Sequence, residues 1–195
     1  MSASLEQRFV SRMRELLVNL PYDLKAVFEA MTDEDLPADA RFLATGAVIY
    51  CLSPADPIPD HIGIVGFTDD VVALRLSLKA LLDMGGDAIS EYPTRFPEQF
   101  ENLDEDLALF REYFGENMSW LERRMSLEAI HKDRYKGKTV REYVEDDEAG
   151  QYLYEEGLSF TTDYEIDDEE VERLSSGRPV FEAFQKRHQF EEGRR

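Results

Sequence analysis

Between residues 50 and 70 the chain reads YCLSPADPIPDHIGIVGFTDD, and this stretch limits the accessible folds more than any other. Pro54, Pro57 and Pro59 each hold φ near about −65° and have no N–H to donate, so a helix arriving at Tyr50 cannot run through them. The residue before each proline is pushed toward extended backbone as well. The chain must therefore leave the helix extended and turn back with little further entropy to lose. Ser53, Asp56 and Asp60 are placed to accept nearby backbone N–H groups, as in Ser and Asx turns. Gly63 and Gly66 admit backbone conformations that other residues resist.

What flanks this loop is apolar and helical. On its N-terminal side Ala40, Phe42, Leu43, Ala44, Ala47, Val48, Ile49 and Tyr50 are apolar nearly all round, which implies burial on several sides. The acidic cluster Thr32-Asp33-Glu34-Asp35, with Pro37 after it, reads as the start signal of this helix, which ends near Leu52. On the C-terminal side Val71, Val72, Leu74, Leu78, Leu81 and Leu82 form a second buried helix closed by Gly85-Gly86. Thr68 reads as its N-cap, Asp69 and Asp70 sit where the helix field is positive, and Arg75 with Lys79 marks a wet face.

Upstream, Leu5, Phe9, Met13, Leu16, Leu17 and Leu20 recur at helical spacing, and Pro21 suggests a fresh start for a stripe of Leu24, Val27, Phe28 and Met31. Downstream, EYPTRFPEQFEN holds two prolines and no sustained period, so a boundary falls there. Leu103, Leu107, Phe110, Phe114, Met118, Leu121 and Met125 then predict one long amphipathic helix, with Trp120 as a packing residue beside it. Thr139 and Glu142 have capping-box spacing. Leu158, Phe160, Thr162, Tyr164 and Ile166 alternate like a strand, which leaves that segment open between helix and strand. The expected architecture is all-α: a compact helical bundle around a helix–Pro-rich loop–helix hairpin, then the long helix and an acidic, partly irregular C-terminal region. The expected division is a core domain over 1–92, a linker over 93–103 and an acidic helical extension over 104–195.

Composition removes several classes of function. With Asp+Glu 42 against Lys+Arg 22 the formal charge is −20, which repels phosphate backbones and anionic lipid, so nucleic acid is not an expected partner. The same charge favours a basic protein partner. The single cysteine, Cys51, allows no internal disulfide and fits a reducing, cytoplasmic setting, with the inner-membrane periphery as the alternative. The N-terminal stretch lacks the uninterrupted apolar run of a secretion signal. The nearly apolar run from Phe42 to Leu52 falls short of the roughly 18 residues a membrane span needs.

From Tyr50 to Asp70 the chain resembles the signature of the YkvA-like family, a bacterial and archaeal domain of unknown function (1232). Tyr50, Ser53, Pro54, Asp56, Pro59, Asp60, Gly66, Asp69 and Asp70 match that pattern. Gly63 replaces an expected proline, and His61 stands where an apolar residue is usual. The resemblance covers about residues 37–85 and implies a compact helical unit with no established activity.

Two functional readings follow from the residues. In the leading one the loop is a proline-braced turn and the protein is a non-enzymatic interaction or scaffolding module, without a resident cofactor. In the alternative, Asp56, Asp60, Asp69 and Asp70 gather a hard divalent cation, with His61 as a further ligand or base, giving a metal-binding protein or a metal-dependent hydrolase. No HExxH, Walker-type or calcium-loop spacing accompanies them, so no catalytic residue is assigned and the expectation leans away from an enzyme. A third reading places the amphipathic helices and the Ile58, Ile62, Ile64, Val65, Phe67 edge on a membrane surface. His131 and His188 read as surface residues, and Ser53 and Cys51 lack the setting of a nucleophile.

Overall fold

A capping box opens the first helix. The Gln7 N–H donates to Ser4 Oγ at 3.2 Å while the Ser4 N–H donates to Gln7 Oε1 at 2.8 Å. The computed structural model describes residues 3–53, 58, 60–164 and 166–193, with Asp60, His61 and Ile62 described by backbone alone. Helix α1 (Leu5–Thr32) runs straight through Pro21, where the sequence suggests a break. A proline inside a helix deprives the carbonyl four residues earlier of its donor, here Leu17. The Tyr164 hydroxyl donates to that carbonyl at 2.7 Å, so a residue far along the chain supplies what the helix lost.

Helix α2 (Ala38–Leu52) is the central one, with every residue from Phe42 to Cys51 buried, as its apolar circumference predicts. The acidic cluster before it does not cap it. Pro37 occupies the N-cap position without a side-chain bond, and Asp33 instead accepts the Asp35 N–H at 3.0 Å and the Tyr92 hydroxyl at 2.8 Å. After the loop, a 3-10 turn (Asp60–Val65) leads into α3 (Thr68–Met84), which ends on Gly85 at φ 67°. Thr68 is the first helical residue rather than the cap, and its hydroxyl donates to the Val65 carbonyl at 2.7 Å. Arg75, expected on a wet face, is only 2% exposed.

After α3 the chain folds as one-turn helices α4 (Asp87–Ser90), α5 (Tyr92–Arg95) and α6 (Pro97–Phe100), the last of them inside the 93–103 span read as a linker, with Tyr92, Gln99 and Phe100 buried. Helix α7 (Leu103–Phe114) packs on α1 and α3. The single long helix predicted to reach Met125 is interrupted: Gly115 turns left-handed at φ 56°, a 3-10 turn (Gly115–Met118) follows, and α8 (Ser119–Arg124) resumes. Phe110, Phe114, Met118, Leu121 and Met125 are nonetheless all buried, so the stripe survives the bend.

Next come α9 (Leu127–Ile130) and a small hairpin of β1 (Arg134–Tyr135) and β2 (Lys138–Thr139), antiparallel with Arg134 opposite Thr139. Thr139 and Glu142 form the expected capping box of α10 (Val140–Glu145). Of the segment left open between helix and strand, Leu158 to Asp163 is helical, in α11 (Asp147–Asp163), which is started by two N–H bonds to Asp146, while Tyr164 and Ile166 lie beyond the helix. Asp167 caps α12 (Asp168–Val171) in the same way, and α13 (Arg178–Glu192) closes the fold with Phe184 stacked on Phe114 at 3.9 Å. The fold is all-α apart from that two-stranded hairpin, and its buried apolar side chains form one cluster from Phe9 to Phe184.

Candidate functional site

The hairpin motif is held by its two helix ends. Tyr50, in the last turn of α2, donates its hydroxyl to Asp69 Oδ2 at 2.7 Å, and both side chains are buried. Asp69 and Asp70 lie in the first turn of α3, 0% and 1% exposed, where orphan N–H groups and the helix dipole favour negative charge. At the other side of the loop the Ser53 N–H donates to the Tyr50 carbonyl, ending α2. The Gly66 N–H donates to the Gly63 carbonyl at 2.7 Å, and Gly63 has φ 73°, a left-handed conformation that the expected proline could not adopt.

The C-terminal half covers this motif. Phe67 makes edge contacts with Phe160 at 6.3 Å and with Tyr164 at 5.2 Å between ring centroids. Burial, with Asp70 and Glu170 nearby, raises the Tyr164 hydroxyl above the usual tyrosine range and keeps it a donor. The Arg124 guanidinium lies 5.8 Å from the Tyr50 ring centre and pairs with Asp133, whose carboxyl is raised by burial against that pairing.

Of the four carboxylates expected to gather a cation, Asp69 and Asp70 are adjacent on α3. Asp56 lies outside the described residues, as do Pro54, Pro57 and Pro59, and the side chains of Asp60 and His61 are likewise not described. Among the described residues no group of three or more His, Cys, Asp or Glu side chains is placed to hold a metal ion. No helix among them is long and apolar enough to cross a membrane. Cys51, the single cysteine of the sequence, is buried. Trp120 is 3% exposed and packs against Phe184 at 5.4 Å, as a packing residue would.

A second feature was not singled out from sequence. Helix α11 crosses α1 closely because residue 157 is glycine: a Cβ there would stand 1.9 Å from Phe28 Cζ. Beside this contact a groove of about 540 Å³ opens between the two helices, lined among others by Tyr22, Lys25, Phe28, Glu29, Tyr154 and Leu158. Tyr22 is 61% exposed, Leu158 53% and Tyr154 37%, an apolar face turned to solvent. Helix α11 carries Asp147, Glu148, Glu155, Glu156 and Asp163 and no Lys or Arg. The signal was present in Gln151, Tyr154, Leu158 and Thr161, which recur at helical spacing, but the strand-like alternation starting at Leu158 masked it.

Residues 40–76, that is α2, the loop and the first half of α3, match the family described as "Protein of unknown function (DUF1232)". That match supports the YkvA-like assignment over this short segment. No curated protein and no solved structure matches the chain.

Proposed function

We propose that this protein is a non-enzymatic helical interaction module that seats a basic, amphipathic segment of a partner protein in the groove between α1 and α11. One observation carries the reading: Tyr22, Tyr154 and Leu158 form a solvent-facing apolar groove on an otherwise acidic surface. Exposed apolar faces rimmed by polar residues are the usual form of partner sites, and aromatic anchors at their centre carry most of the affinity. The charged residues lining it are Glu29, which pairs with Arg95, and Lys25, so the preference for a basic segment rests on the net charge of −20, which draws a basic segment in and repels an acidic one. The motif carboxylates Asp69 and Asp70 sit buried at a helix start, which suits a structural role in holding the hairpin beneath this surface.

The test uses the full chain, because deleting residues 103–195 would strip α1 and α3 of buried partners such as Phe110 and Leu107. Immobilised wild-type protein and Leu158→Asp with Tyr22→Ala are compared for capture from host extract, and captured segments are then titrated as synthetic peptides. The proposal expects a lysine- or arginine-rich peptide that binds wild type, weakens at least tenfold with the variant and weakens again as salt rises. Equal capture by both proteins, or a partner segment that is acidic, would contradict it.

A further inference from the structure

A group of charged side chains buried between α1, α3, α6 and α7 is used by nothing described so far. Arg75 of α3 is at its centre, 2% exposed, with Asp23 of α1 at 1% and Asp106 of α7 at 3%. Its Nη1 donates to the Gln99 carbonyl of α6 at 2.5 Å, and its Nε stands 3.2 Å from Asp23 Oδ2 and 3.6 Å from Asp106 Oδ2. The two carboxylates are not treated equally. Asp106 also takes a two-pronged contact from Arg12 of α1, at 2.6 and 3.0 Å, while Arg12 reaches Glu15 on its own helix at 2.7 Å. Asp23 receives only the off-line approach of Arg75 Nε, and among the described residues neither of its oxygens accepts a hydrogen bond.

A buried carboxylate with no donor is poorly supported as an anion, because burial takes away its water and one shared guanidinium does not replace it. Protonation relieves that cost and leaves Arg75 to Asp106 and the Gln99 carbonyl. We propose that Asp23 carries a proton in the resting fold near neutral pH, and that its ionisation loosens the seat of α6 and α7 on α1 and α3. The cluster is then a proton-operated latch between the hairpin-bearing half and the C-terminal half. The groups that act on Asp23 are Arg75 from α3, Asp106 from α7 and Arg12 from its own helix. Burial is the largest influence and raises the carboxyl, Arg75 opposes it, Asp106 adds to the rise and Arg12 opposes it, which together push Asp23 up to about 7.

The sign follows from linkage. Between the ordinary carboxylate range, about 3.9, and about 7, the folded chain holds a proton that the unfolded chain has released. This contribution to stability is complete below about 3.9, declines as pH rises from there to about 7, and is gone above that.

Asp23→Asn keeps the shape and fixes the neutral state, so wild type and variant are melted in parallel from pH 5 to pH 8.5. The latch predicts a variant that melts slightly higher at pH 5, by a margin that widens up to about pH 7 and then holds to pH 8.5. A variant that melts lower at pH 8.5, or a gap that does not change with pH, overturns it. Should the variant not fold, the Asp23 carboxyl carbon of the wild-type protein is followed by nuclear magnetic resonance. A midpoint between 6 and 8 sustains the latch, and one below roughly 5, in the ordinary range of carboxylates, rejects it.

Discussion

Tyr50 and Asp69 lie 19 positions apart and meet across the proline loop through one 2.7 Å hydrogen bond. Both belong to the motif that the sequence displays, and their burial explains why an aromatic hydroxyl and a carboxylate are needed where the two helix ends converge. Tyr50→Phe removes the donor while keeping the ring, so we expect a loss of ~1–3 kcal/mol in urea unfolding, the usual range for removing one partner of a buried hydrogen bond. Little or no loss would mean that Asp69 does not depend on this bond. Arg75 shows the opposite side of legibility. A lone arginine in an apolar helix reads as the one wet position, because burying a guanidinium is costly without partners. Its partners, Asp23, Asp106 and the Gln99 carbonyl, come from three other elements, and no local pattern points to them.

Elements were legible where their signals are local. The apolar circumference of α2, the Gly85 stop of α3 and the Thr139–Glu142 box of α10 all depend on residues within a few positions of one another. Pro21 misled because its cost is offset from outside the helix, by Tyr164. That dependence predicts a coupling. Tyr164→Phe alone leaves the Leu17 carbonyl without its donor and should cost ~1–3 kcal/mol. In a Pro21→Ala background the new N–H at position 21 can serve Leu17, so the same change should cost ~1 kcal/mol less. Additive losses in the four-member cycle, measured by chemical unfolding, would show that Tyr164 acts by packing alone. Gly46 offers a second check on helix approach. A Cβ there would meet Ile130 Cγ2 at 2.4 Å, so Gly46→Ala should destabilise by ~1–3 kcal/mol despite alanine's better helix propensity. A more stable variant would show that α9 yields easily.

At the scale of the molecule, the working surface is shared by the two halves. Helix α1 brings Tyr22 and Phe28, α11 brings Tyr154 and Leu158, and the glycine at 157 sets how closely they lie. Composition foretold an acidic protein but not where an apolar face would be left open within it, because that depends on which helices cover one another. The net charge of −20 adds a further expectation: association with the partner should slow as salt rises from 50 to 500 mM, while the dissociation rate changes less. Stopped-flow or surface-capture kinetics would read both, and a salt-independent association rate would place the charge outside the encounter.

The most direct test of the groove as the partner site is photo-crosslinking in the native host from two positions of the full chain. A photoreactive side chain at Leu158 probes the groove, and one at Phe190, exposed on α13, serves as the control. The account predicts a crosslink from position 158, mapped by mass spectrometry to a lysine- or arginine-rich amphipathic segment, and absent from position 190. A crosslink to that segment only from position 190, or none from 158 in a correctly folded protein, would contradict it.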